Sequence, residues 1–163
     1  PQFVCSDATQ IYFPSQVQSV YNTADVSQGW GAPETCFDWP QASRLDGRSV
    51  RLDRTGPASL KQARKFYVPP DTHVDWSGIQ QYSGGPWLQM QWDAEKVPFL
   101  GLWIDEGFLS HTTVAAPEPA TGYYDSLEVA WSKQLVTILE PYTTRNWSLT
   151  VRLGVPGQSF PAD

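Results

Sequence analysis

The chain of 163 residues carries 17 acidic against 11 basic side chains, and its formal charge of −6 argues against nucleic acid or anionic membrane as partners, since clustered cations hold both. Its length suits one domain, residues 1–163, with a core that needs no staples. Cys5 and Cys36 make neither a disulfide framework nor a zinc pattern, and no apolar run approaches the roughly 20 residues of a bilayer crossing, so a cytoplasmic chain with free thiols and no metal or cofactor is expected.

Taken in order, the chain opens on Pro1 rather than an initiator Met, with Phe3 and Val4 close behind, which suggests a piece cut from something longer. A first strand is expected over residues 16–21. Residues 27–45 hold Gly29, Gly31, Pro33 and Pro40 with Trp30, Phe37 and Trp39 and read as a long ordered loop, a type of segment that often carries function. Asp46 and Asp53 interrupt the basic residues between Arg44 and Arg54, as on a solvated face. Further strands are expected over 50–53, 60–68 and 79–82.

Gly84, Gly85 and Pro86 then supply a turn, and residues 87–92 alternate, with Leu88, Met90 and Trp92 opposing Trp87, Gln89 and Gln91. Residues 99–104 are apolar apart from Gly101, the pattern of a central strand covered on both faces, where the glycine permits close approach of a neighbour or ligand. Short strands follow at 114–116 and 134–139. One helix is expected at 126–132, with Asp125 as its N-cap. In the last strand, 145–153, Trp147, Leu149, Val151 and Leu153 should face the core. Many short strands joined by Pro and Gly turns predict an all-β, antiparallel β-sandwich.

Three elements in order carry more information than the strand pattern. They are Pro98-Phe99-Leu100-Gly101-Leu102-Trp103, then Glu118-Pro119-Ala120-Thr121-Gly122 leading through Asp125 and Leu127 to Ala130, then the final strand with Trp147. Together they resemble the C-terminal half of the aldose 1-epimerase, or galactose mutarotase-like, family. The likeness is best over the last 75 or so residues; before Gly85 it is looser, with Trp39-Pro40 and Lys65 similar in kind. It implies part of a larger sugar-binding supersandwich. Interconverting α and β anomers needs a base at the anomeric hydroxyl and an acid at the ring oxygen. The resemblance gives the base to Glu118, stiffened by Pro117 and Pro119. It gives the acid to a histidine in a part of the sandwich that this chain lacks; His73 and His111 are poor substitutes by position.

Pyranoses present a C–H face to aromatic rings and hydroxyls to polar side chains. On that chemistry the binding candidates are Trp30 and Trp39 in the glycine-rich loop, Lys65 on its strand, and Asp105 and Glu106 where the chain leaves the buried strand. A solvent-facing strand lysine and a simple turn are the plain alternatives for the last three. The expected partner is a monosaccharide or sugar phosphate, and a homodimer is expected through the sheet face that a half-sandwich leaves uncovered. Two other readings stay open: a non-catalytic carbohydrate-binding or sensor domain on the same fold, and a structural sandwich that mediates assembly.

Overall fold

The computed structural model describes residues 2–24, 26 and 29–161. Pro1 and Ser27, used above for the terminus and the loop, lie outside them. The elements are β1 (Phe3–Val4), β2 (Gln10–Tyr12), β3 (Ser19–Ala24), β4 (Cys36–Asp38), β5 (Gln41–Ser43), β6 (Ser49–Arg51), β7 (Gln62–Tyr67), β8 (Trp76–Gln80), β9 (Trp87–Trp92), β10 (Phe99–Glu106), β11 (Thr113–Ala120), α1 (Leu127–Ser132) and β12 (Leu149–Gly154). They form a six-stranded sheet in the order β1-β11-β10-β7-β3-β4, a four-stranded sheet β12-β9-β8-β2, and the small ribbon β5-β6. Every named pair is antiparallel.

The two larger sheets face each other across one core. Val20, Phe66, Leu100, Leu102, Ile104 and Ala115 come from the six-stranded sheet, and Ile11, Ile79, Met90 and Trp92 from the four-stranded one. Because strand side chains alternate, the residues between these point to the outer face of the six-stranded sheet. Lys65, Tyr67, Gly101, Trp103 and Glu118 are of that parity, and the register places Tyr67, Gly101 and Glu118 in one row.

The chain bears out the expected β9, and β10 is the central strand anticipated, covered on both faces. Several bounds differ for identifiable reasons. β3 begins three residues late because Val17 N–H donates to the Pro14 carbonyl and closes a turn first. The segment 27–45 is not all loop, for it contains β4 and β5. Residues 134–139 form no strand; Tyr123 and Thr137 N–H donate to Leu135 and Thr121, so the segment runs as an irregular partner of 121–123. Ser126, not Asp125, caps α1, its side chain accepting from Val129 N–H.

β12 starts at Leu149, and the expected core face is only partly covered. Leu149 packs on the core, whereas Val151, Leu153 and Trp147 are exposed. β12 is an edge strand paired to β9 alone, and among the described residues its apolar face beyond Leu149 stays largely exposed.

β11 extends four residues beyond the expected strand and includes Glu118 between its two prolines. Proline lacks an N–H and is confined to edges. The Thr113 carbonyl accepts from Cys5 N–H, on the β1 side, and Pro117 and Pro119 share its parity. Both therefore turn their missing donors to an edge that β1, pairing only Val114 and Ala115, does not reach. Glu118 is thus held on a rigid strand, hydrogen-bonded into the sheet opposite Gly101.

Candidate functional site

The outer face of the six-stranded sheet carries a charged cluster built from three strands and the segment after them. Lys65 on β7 has a side chain only 7% exposed, and its ammonium pairs with Glu118 Oε2 from β11 and, at 3.2 Å, with Asp125 Oδ1. Tyr67 donates to the same Asp125 oxygen at 3.2 Å. Gly101 between them supplies no side chain, and a Cβ there would lie 3.0 Å from Cζ of the Tyr67 ring. The bare backbone of β10 thus lets groups from β7 and β11 meet over it. Glu118 remains 39% exposed, and no hydrogen bond occupies its Oε1 among the described residues. Burial, then Asp125, holds the Tyr67 phenol well above its ordinary pKa, so this hydroxyl stays protonated and donating at neutral pH.

Beside the cluster lies a cleft of about 480 Å³, within the ~300–1,000 Å³ typical of small-molecule sites. Tyr21, Tyr123, Tyr124 and Leu135 line it with Glu34, Pro70, Asp71 and Lys133. The rings form one array: Tyr67 meets Tyr123 at 5.2 Å, and Tyr123 meets Tyr124 edge-on at 4.6 Å. Tyr124 donates to Glu34 Oε1 at 3.0 Å, Lys133 pairs with the same carboxylate, and the Lys133 ammonium sits 5.6 Å from the Tyr124 ring. These two donors hold Glu34 below the usual carboxylate range, Lys133 contributing most. Burial raises the Tyr123 and Tyr124 phenols. Across cluster and cleft, four carboxylates face two ammonium groups.

Of the residues singled out from sequence, the structure brings Lys65 and Glu118 together, and Lys65 is buried rather than solvent-facing. The others lie elsewhere and are occupied. Trp30 is 1% exposed in the core, edge-on to Phe37 and Phe66 with the Arg44 and Arg64 guanidiniums 4.8 and 5.7 Å from its ring, so it is no exposed platform. Trp39 stacks on Phe13 at 4.5 Å and is half-buried. Asp105 is buried and accepts from the N–H groups of Phe108, Leu109 and Ser110, fixing the turn after β10. Glu106 is buried on the core side, accepting from Gly56 N–H, Gln62 and Arg64. That pair braces the fold.

His111 is exposed in the turn at the far end of the β10-β11 hairpin. Thr113 and Glu118 are five residue steps apart along the strand, about 17 Å. His73 is exposed between β7 and β8, its carbonyl accepting from Gln16. Neither joins the cluster. Sequence reasoning missed Asp125, taken for a helix cap, and Tyr21, Tyr67, Tyr123 and Tyr124. Tyr67 was within reach, since period two places it on the face of Lys65.

Among the described residues, no helix is long and apolar enough to cross a membrane and no group of three or more His, Cys, Asp or Glu could hold a metal. Cys5 and Cys36 are free thiols. Neither a family model, nor a curated protein, nor a solved structure matches the chain.

Proposed function

We propose that this chain is the base-bearing part of an aldose 1-epimerase-like sugar site on the outer face of the six-stranded sheet. The observation that supports it is the meeting of Lys65, Glu118, Asp125 and Tyr67 over the bare backbone of Gly101, beside a tyrosine-lined cleft. In this reading Glu118 Oε1, on a partly exposed side chain and without a hydrogen bond among the described residues, takes the proton of the anomeric hydroxyl as the ring opens. Lys65 holds Glu118 in place. The proton for the ring oxygen comes from outside this chain's own histidines, which sit away from the cluster.

A second reading, sugar binding without turnover, rests on a specific observation. Glu118 Oε2 is engaged by Lys65, and Glu118 lines none of the described clefts, whereas Asp125 lines two. Polarimetry of freshly dissolved α-glucose and α-galactose separates the readings, with imidazole added as an external acid. An acceleration by chain plus imidazole beyond the sum of the two, lost in Glu118→Gln, is expected for the epimerase-like site. Equal rates for the wild type and Glu118→Gln leave only the binding reading.

A further inference from the structure

We propose that β12 is a docking edge for a second copy of this chain, the two β12 strands pairing antiparallel about a two-fold axis through Val151. This edge belongs to the sheet that the sugar-site reading does not use. Four strands end the two larger sheets: β1 has two residues, β2 and β4 have three each, and β12 has six. Protein sheets blunt their edges with short strands, prolines, bulges or inward-pointing charges. The first three edges are short. β12 has no proline, and its register on β9 runs unbroken from Leu149 to Gly154.

The direction of its main-chain groups follows from β9. Trp92 N–H donates to the Asp75 carbonyl and the Pro86 carbonyl accepts from Gln81 N–H, both on the β8 side. Alternation then turns Gln91, Gln89 and Trp87 toward β12, where they face Thr150, Arg152 and Gly154. The N–H and C=O groups of Leu149, Val151 and Leu153 therefore point away from β9, along the open edge. Their side chains have the parity of the core, opposite Trp92, Met90 and Leu88, yet Val151 is 47% and Leu153 74% exposed. Open backbone and uncovered apolar side chains thus fall on the same residues, the surface that an added strand takes up.

The residues of β12 suit its own copy, in one register. With the axis at Val151, Val151 meets Val151, Leu149 meets Leu153, and Thr150 meets Arg152. Outward-facing residues then pair with outward-facing ones, as an antiparallel ladder requires, and apolar side chains meet apolar ones. Moving the axis to Arg152 sets two guanidiniums directly opposite each other, which is unfavourable. Moving it to Thr150 overlaps only residues 149–151 with their copies. The contact uses the same patch on both copies and closes at a dimer, joining the two four-stranded sheets into one.

The test is sedimentation equilibrium from about 1 μM to about 1 mM on the wild type, Val151→Pro, Leu153→Lys, Thr150→Glu and Thr150→Arg. The wild type should dimerise. Val151→Pro removes an outward N–H, an arrangement that Pro117 and Pro119 already show at the open part of β11. It and Leu153→Lys should each weaken the dimer about tenfold or more, with unchanged circular dichroism. Thr150→Glu, set against the partner's Arg152, should tighten the dimer about twofold to fivefold although it makes the chain more negative, and Thr150→Arg should loosen it. If the proline variant fails to fold, Leu153→Lys decides, since its side chain is mostly in water. A wild type that stays monomeric throughout would overturn the proposal, as would a dimer that Leu153→Lys leaves intact. Equal effects of the two Thr150 variants would overturn the axis at Val151.

Discussion

Lys65 is the residue on which the charged cluster turns, because its burial and its partners' burial differ. Its side chain is nearly inaccessible, whereas Glu118 and Asp125 keep 39% and 57% of theirs in water. The two carboxylates keep contact with water, whereas the buried ammonium lies against both of them. Removing a counter-charge therefore costs less the first time than the second. Glu118→Gln should lower stability by about 1–2 kcal/mol and Asp125→Asn by somewhat less, while the double variant should lose more than the sum, since it leaves a buried ammonium uncompensated. Urea unfolding of the four proteins checks this, and additive losses would mean that Lys65 escapes to solvent. The same residue shows what sequence could and could not supply. Alternation placed Lys65 and Tyr67 on one face of a strand, but a lone strand lysine reads as solvated until residues 121–135 fold over it, and that closure is non-local. Trp30 failed in the opposite direction: a glycine-rich segment suggests exposure, yet the ring is carried inward and lodged beside two guanidiniums.

Among the elements, β9 was legible from its alternation and β10 from its nearly unbroken apolar run, each with a Gly or Pro turn beside it. β1, β2, β4 and β5 have two or three residues each, too few for any pattern to rise above the surrounding turns. β11 was half legible, since two prolines argue against a strand unless its outer edge is open, and that depends on how far β1 runs. Gly101 on β10 links element to site. A methyl group there would lie 3.0 Å from Tyr67 Cζ, which carries the hydroxyl bonded to Asp125. Gly101→Ala should therefore cost about 1–3 kcal/mol by overpacking. If the strain runs through the ring, most of that loss should vanish when Tyr67→Ala is added. Chemical denaturation of the single and double variants decides it, and an undiminished penalty would place the strain in the strand backbone instead.

At the scale of the whole molecule, two antiparallel sheets share one core, and the outer face of the larger sheet is closed in part by its own C-terminal segment. Tyr67, Phe99 and Tyr123 form a second small apolar cluster on that outer face, with Tyr21, Tyr124 and Leu135 packed against it. The layer orders the tyrosines around the cleft, so the candidate site is a product of overall closure and not of any one strand. Exposed apolar side chains lie elsewhere, along Val151 and Leu153 of β12 and at Leu127, Trp131 and Ile138. The all-β class followed from local patterning; which face would carry the polar cluster did not, because it depends on pairing across residues 65, 101 and 118.

The most direct measurement is a backbone amide chemical-shift map of the isotopically labelled chain titrated with D-galactose and D-glucose. Saturable shifts should centre on residues 65–71, 118–125 and 133–135 and leave β8, β9 and β12 unmoved. Absence of any saturable shift, or shifts confined to the four-stranded sheet, would contradict a sugar site on the outer face of the larger one.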